Sequence, residues 1–158
     1  MKPVSIVIAL LLGPLAAAGA LAGPNQIVAE HAWARATPKL ATNAAAYITL
    51  SNHGKTDDRL LMAASPAAAS IQFHAESGEA GVMKMTQLST VALPAGGTVV
   101  FSPGGLHMMM VGLDKQLKDG ETVPLILTFE KAGVIELPAR VGKVGAMSDP
   151  AAGQANGN

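Results

Sequence analysis

Residues 121–130, ETVPLILTFE, alternate large apolar side chains with smaller or polar ones. In an extended chain successive side chains point to opposite faces, so Val123, Leu125, Leu127 and Phe129 share one face. This alternation is typical of a β-strand that is buried on one side. The stretch therefore predicts a strand of a sheet that covers a core with one face.

Comparable short runs occur along the rest of the chain, separated by turn-forming Gly, Pro, Asn and Ser residues. Regular spacing of short strands and turns is typical of a β-sandwich or barrel. Pro124 and Pro138 cannot donate to a strand ladder, so we expect them at a sheet edge or facing away from partner strands. The loop AESGEAG is expected at 75–81. The other predicted strands are 26–34, 45–52, 59–64, 69–74, 82–88, 97–102, 106–112 and 134–141.

The ends of the chain differ in composition from its middle. Residues 1–22 combine one Lys, an apolar run and a small-residue end, which predicts a secretory signal peptide cleaved after Ala22. The nineteen uncharged residues from Val4 to Ala22 leave a membrane anchor as the alternative. One domain is then expected over 23–144. Residues 145–158 are poor in bulky apolar side chains and predict a disordered tail.

Charge and cysteine content exclude several classes of function. Loss of Lys2 with the leader leaves ten basic residues (11 − 1) against 11 acidic ones, a balance that argues against nucleic-acid binding and electrostatic membrane binding. The chain has no cysteine, although an exported protein could use disulfides. A metal site would therefore have to be made without thiolate.

Residues 104–112, GGLHMMMVG, concentrate soft metal ligands in one predicted strand. Alternation places His107 and Met109 on one face and Met108 and Met110 on the other, where they are expected to fill the core. Imidazole and thioether together suit Cu(I), but further ligands must come from elsewhere. The available candidates are His74, Met83, Met85, His31 and His53.

Two of these candidates, together with His107 and Met109, give the chain a resemblance to the periplasmic copper chaperones of the PCuAC type. That family's fingerprint is His, ten residues, Met, twenty-one residues and His-x-Met, and His74, Met85, His107 and Met109 have this spacing. Other similar stretches are AWAR (32–35), AAYITLSNHG (45–54), GVMKM (81–85), PGGLHMM (103–109) and LTFEKAG (127–133).

The resemblance implies an all-β, cupredoxin-like Greek-key β-sandwich that binds one Cu(I) through His74, Met85, His107 and Met109. It further implies a periplasmic metallochaperone that passes copper to an oxidase subunit or assembly factor, toward the cytochrome c oxidase copper centre. We expect a monomer. Two imidazoles and two thioethers are all neutral, which favours Cu(I) over Cu(II). Because the tail lacks the His- and Met-rich extension of some relatives, we expect one site and no substantial Cu(II) capacity.

Other interpretations compete with this one. Met83 rivals Met85, because residues two apart share a strand face. A general copper-buffering or resistance protein would use the same site, and a metal-free interaction module would need none. A blue-copper electron-transfer protein requires a Cys thiolate, and catalytic metals prefer carboxylate or a third histidine, so we expect no enzyme.

Several residues are expected to be structural rather than functional. His31 and His53 lack a soft partner at matched spacing, and Trp33 is expected to pack. Arg35, if enclosed, would need a carbonyl or carboxylate partner. Met62 is expected in the core, and Glu76 and Glu79 on a solvated turn.

Overall fold

The computed structural model describes residues 26–79 and 82–152, and within them the chain forms ten β-strands and no helix. The all-β prediction is confirmed. The predicted signal peptide at 1–22 lies outside the described residues, and no helix in the described part is long and apolar enough to cross a membrane. The strands are β1 (Ile27–Arg35), β2 (Asn43–Asn52), β3 (Asp58–Ala64), β4 (Ala68–Glu79), β5 (Val82–Leu88), β6 (Val91–Leu93), β7 (Thr98–Val100), β8 (Leu106–Leu113), β9 (Thr122–Phe129) and β10 (Gly133–Gly142).

The strands are hydrogen-bonded in the order β5-β4-β8-β2-β1-β10-β9-β3-β6, with β7 paired to β2. Neighbouring strands are antiparallel except β1 and β10, which run parallel. Strand β3 also contacts β4, and β2 contacts β6, so the ends of this order fold over each other around one core. This is the cupredoxin-like β-sandwich that the resemblance implies.

Strand β9 has the alternation that its sequence predicts. Val123, Leu125, Leu127 and Phe129 are buried, whereas the residues between them are partly exposed. Pro124 and Pro138 are opposite each other in the β9–β10 pair. The pairing of β9 with β3 does not extend to Pro124, and the pairing of β10 with β1 does not extend to Pro138. Both prolines therefore interrupt no second ladder, as expected.

Strand β3 corrects the expectation for Met62. Leu60 is opposite Phe129 and Met62 is opposite Thr128, so Leu61 is an extra residue and forms a bulge. The bulge reverses the alternation: Leu60 and Ala63 are buried, but Met62 is 55% exposed. Met62 is a surface residue and not part of the core.

The loop expected at 75–81 is also corrected. Strand β4 continues through Ser77 and Gly78 to Glu79, because β5 pairs with it from Phe73–Leu88 to Glu79–Val82. Cross-strand hydrogen bonds outweigh the local turn preference of Ser and Gly here. His74, which was expected at the end of a strand, therefore lies within the long β4–β5 hairpin.

The tail expected to be disordered contacts the sheet over 145–152. Arg35 Nε donates to Ala146 O at 2.7 Å, and Arg35 Nη2 contacts Met147 Sδ at 3.1 Å. His31 Nδ1 lies 3.2 Å from Asp149 Oδ2. Arg35 thus has the carbonyl partner that its position requires. The disordered tail at 145–158 stays a prediction. Residues 153–158 lie outside the described part.

Candidate metal centre

Strand β8 provides two of the four candidate ligands, and its other face packs against the core. Met108 and Met110 are fully buried at 0% exposure, facing the interior. His107 and Met109 alternate with them and point to the opposite, outer face of the sheet. His107 is nevertheless only 5% exposed, so the ring is enclosed by its neighbours. The predicted division of the methionine run between core and outer face is confirmed for Met108 and Met110.

Pairing of β4 with β8 brings the two histidines together. His74 is directly opposite His107, and Gln72 is opposite Met109. The two imidazole centroids are 5.6 Å apart, with the rings inclined at 66° in an edge-to-face arrangement. The 32 residues between the two histidines are thus closed into a loop by one cross-strand pair.

Strand β5 brings Met85 to the same face. Met85 is opposite Glu76, diagonal to His74, and its Sδ atom lies 3.2 Å from His74 Nδ1. Met83 is opposite Gly78, one step further along the hairpin. A Cβ placed on Gly78 would lie 3.0 Å from Met83 Sδ, so this thioether lies over the bare glycine backbone. Of the two rivals, Met85 is the one in contact with His74.

Hydrogen bonds set a different free nitrogen on each imidazole. Each ring nitrogen of His74 faces an acceptor: Nε2 lies 3.1 Å from Gln72 Oε1 and Nδ1 lies 3.2 Å from Met85 Sδ. Because an amide oxygen is the stronger acceptor, we assign the proton to Nε2, which leaves the Nδ1 lone pair facing Met85. The Nδ1 of His107 donates to Gly105 O at 3.0 Å, which leaves Nε2 as its available nitrogen. The two rings therefore present opposite nitrogens as potential metal ligands.

The carbonyl that orients His107 belongs to the turn before β8. Gly105 O also accepts the Glu76 backbone N–H at 3.1 Å, so the turn is tied to β4 as well. The preceding residue, Gly104, has a φ of +78°, a conformation that favours glycine. The PGG turn thus fixes both the direction of His107 and its distance from β4.

The environment of His74 disfavours protonation of its ring. Burial lowers the pKa of His74 below its ordinary value, and the neighbouring His107 lowers it further. A neutral imidazole is the form that can bind a metal. The ligand-competent form of His74 therefore persists to a lower pH than in a free histidine.

The two remaining histidines stand apart from this cluster. His31 lies at a bulge of β1 with a φ of +54° and contacts Asp149. His53 is exposed in the turn after β2, where its backbone N–H donates to Gln26 O. Trp33 is buried and stacks on Tyr47 with centroids 4.4 Å apart, as expected of a packing residue.

Gln72 and Tyr47, near the candidate ligands, were not identified from the sequence, and the expectation of Glu76 on a solvated turn is wrong because it lies within β4. Gln72 bonds His74, and Glu76 shares the outer face because β4 continues past the expected loop. Tyr47 follows Ala46, which pairs with Met108, and so lies level with His107. Burial raises the pKa of Tyr47, an effect that Arg35 opposes and Glu76 reinforces. Alternation extended in both directions from His74 would have identified Gln72 and Glu76.

Comparisons with known proteins agree with this architecture. Residues 27–141 match the family described as "Putative lipoprotein LpqE-like". A curated relative, "Putative lipoprotein Lxx21020" of Leifsonia xyli subsp. xyli, is 33% identical over 101 residues, or 63% of this chain. The chain spans 60% of that relative's length.

Solved structures are similar over most of the described residues. The copper-bound PCuAC domain from PmoF2 is 31% identical, with a TM-score of 0.65, over 75% of this chain and 93% of that domain. Cu(I)-bound DR1885 from Deinococcus radiodurans is 34% identical, with a TM-score of 0.56, over 79% of this chain and 83% of that protein. The chain belongs to the LpqE-like family and is a domain of the PCuAC type.

Proposed function

We propose that this protein is an exported metallochaperone that carries one Cu(I) ion. His74 Nδ1, His107 Nε2 and the thioether sulfurs of Met85 and Met109 are the proposed ligands. The observation that carries the proposal is the contact of His74 Nδ1 with Met85 Sδ at 3.2 Å, beside the edge-to-face ring of His107. A thioether and two differently oriented imidazoles meet there on one face of the sheet.

The chemistry of these donors favours the monovalent ion. All four are neutral, and soft thioethers select Cu(I), whereas Cu(II) prefers nitrogen and oxygen donors in a tetragonal arrangement. Thioethers neither titrate nor form disulfides, so they stay available in an oxidising compartment. Similarity to the copper-bound PCuAC domain from PmoF2 and to Cu(I)-bound DR1885 supports this choice of ion.

Export and transfer are the remaining parts of the proposal. The leader at 1–22 and the lipoprotein descriptions of the relatives support a periplasmic location. We propose that the cleaved protein is periplasmic and monomeric. Half-exposed Met85 gives an accepting protein direct access to a ligand. No catalytic step is required, because the ion changes ligands and not oxidation state.

An anaerobic Cu(I) competition titration tests the ligand set. We expect the cleaved protein to take one equivalent of Cu(I) from a chromophoric chelator, and the double variant His107→Ala/Met109→Ala to lose this binding. The matched control is His53→Ala/Met62→Leu, which changes one exposed histidine and one exposed methionine elsewhere. Equal binding by both double variants would contradict the proposal.

The recipient requires an experiment in cells. We propose delivery toward the copper centre of cytochrome c oxidase, so deletion of the gene should lower oxidase activity when copper is limiting. Added copper should restore that activity. A deletion that impairs only growth in excess copper would instead support a buffering or resistance role for the same site.

A further inference from the structure

Two exposed thioethers lie side by side on the outer face of β5. Met83 is 61% exposed and Met85 is 52% exposed, and both side chains point to the same face because they are two residues apart. Their Cα atoms are separated by about 6.6 Å along the strand. Methionine side chains have three rotatable bonds, so two such sulfurs can reach a common ion.

Core packing does not explain Met83. Its sulfur lies over Gly78, where a Cβ would approach it to 3.0 Å, and not between buried side chains. The residue opposite Met83 on β4 is Gly78. Because glycine has no side chain, the outer side of Met83 is open to solvent. Met108 and Met110, by contrast, have the complete burial expected of methionines that fill a core.

The hairpin position of Met83 makes it the outermost soft donor near the candidate ligands. Strand β5 lies at one end of the strand order and, in the described part of the chain, pairs only with β4. Exposure falls across the sheet from Met83 and Met85 on β5, through partly buried His74 on β4, to His107 on β8. An ion arriving from solvent meets β5 before it meets β8.

We propose that Met83 and Met85 form a capture site for Cu(I), from which the ion moves inward; this inference rests on the proposed function. Met83 Sδ and Met85 Sδ bond the ion as the donor's ligands leave it. His74 Nδ1 and the β8 ligands then bond it, and the bond to Met83 breaks. Copper stays monovalent, and the neutral imidazoles release no proton. Met83 therefore speeds exchange and contributes nothing to the loaded state.

Kinetic and equilibrium measurements separate this role from that of a ligand. Stopped-flow transfer of Cu(I) from its bicinchoninate complex to the cleaved protein, without oxygen, gives the rate, and competition gives the dissociation constant. For Met83→Leu we expect the transfer rate to fall about tenfold, the size usual for loss of one interaction near a metal, with an unchanged dissociation constant. Leucine conserves volume, so the fold should be unaffected.

Two further variants sharpen the result. Met62→Leu changes a methionine of similar exposure on β3 and should leave both quantities unchanged. Gly78→Ala keeps Met83 but displaces its sulfur, because the added Cβ would lie 3.0 Å away, and should slow transfer to a smaller degree. Slower Cu(I) transfer in Gly78→Ala would support a requirement for the position of the Met83 sulfur as well as for its presence.

Contrary outcomes are distinct from failure of the proposed function. Normal Cu(I) binding with an unchanged transfer rate in Met83→Leu would overturn the capture site alone. A parallel loss of affinity would also overturn it, because Met83 would then be a ligand of the loaded state. If the unaltered protein bound no Cu(I), the proposed function itself would fail.

Discussion

Strand β8 and the β4–β5 hairpin contribute equally to the candidate ligand set but differ in how they are held. His107 alternates with two fully buried methionines and is enclosed on the outer face, so β8 is fixed by the core. Met85 lies on a strand paired on one side and is half-exposed. Elements with few buried contacts open most readily. The difference suggests one preformed half that sets geometry and one accessible half through which the ion exchanges.

The largest effect is expected on stability, from replacing a methionine on the core-facing side of β8. Met108→Ala removes a fully buried side chain and should lower the free energy of unfolding by about 2–5 kcal/mol. Met62→Ala is the control, because an exposed methionine should change it by about 0.5 kcal/mol or less. Chemical denaturation of the metal-free proteins measures both. Similar losses in the two variants would contradict the idea that the core fixes β8.

The two halves of the site should also differ in affinity. Met109→Leu removes a thioether from the preformed strand and should weaken Cu(I) binding by about 100-fold. Met85→Leu should weaken it by about tenfold, because Met83 lies two residues away and can replace the lost sulfur. Both dissociation constants come from chelator competition. Equal losses would mean that β8 provides no advantage of preorganisation.

The hydrogen bond from His74 to Gln72 gives a prediction on the hairpin side. Gln72→Leu removes the acceptor of the Nε2 proton and should weaken Cu(I) binding by about tenfold, the lower end for a residue that orients a ligand. Nitrogen chemical shifts of the metal-free protein should show His74 protonated at Nε2, and mixed tautomers in the variant. Gln87→Leu is the control, since Gln87 pairs with His74 across β4–β5 and is exposed.

Either of two results would contradict the role of Gln72. One is an unchanged tautomer in Gln72→Leu, and the other is an equal loss of affinity in Gln87→Leu. In the first case the ring would be oriented by Met85 or by the β4 backbone. In the second, the effect would come from polarity of the hairpin surface and not from a hydrogen bond to the ring.

The sequence predicted those parts of the molecule that depend on local alternation. Strand β9 follows from its apolar spacing, and the assignment of Met108 to the core follows from the period of two. Strand β6 has three residues, too few to display a period. The bulge at Leu61 and the extension of β4 past Gly78 depend on partner strands, which no single segment encodes.

The candidate site shows the same division. The resemblance to the PCuAC family implied a cluster that includes His74 and Met85, and these two are in contact. The residues that orient the rings escaped prediction, because Gly105 acts through a backbone carbonyl and Gln72 through a bond two residues along a strand. The hydrogen bond from Arg35 to Ala146 likewise uses a backbone carbonyl, so side-chain composition could not reveal it.

The smallest effect concerns the pH dependence of Cu(I) binding through His74, the titrating donor of the hairpin half. Burial and the nearby His107 hold the pKa of His74 below its ordinary value of 6.5. Because Cu(I) competes with a proton only where the ring is protonated, lowering the pH from about 8 to 7 should leave the affinity almost unchanged. Below the pKa of His74 the affinity should fall, and this ring should contribute about tenfold per pH unit.

Competition titrations at a series of pH values measure this dependence, and the comparison that isolates His74 is its own replacement. His74→Ala binds more weakly at all pH values, but it has one proton fewer to displace, so its loss of affinity on the acid side should be shallower. The thioethers of Met85 and Met109 do not titrate and cannot produce such a change of slope. A steep loss between pH 8 and 7 that disappears in His74→Ala would contradict a lowered pKa of His74, and identical slopes in the two proteins would remove His74 from the ligand set.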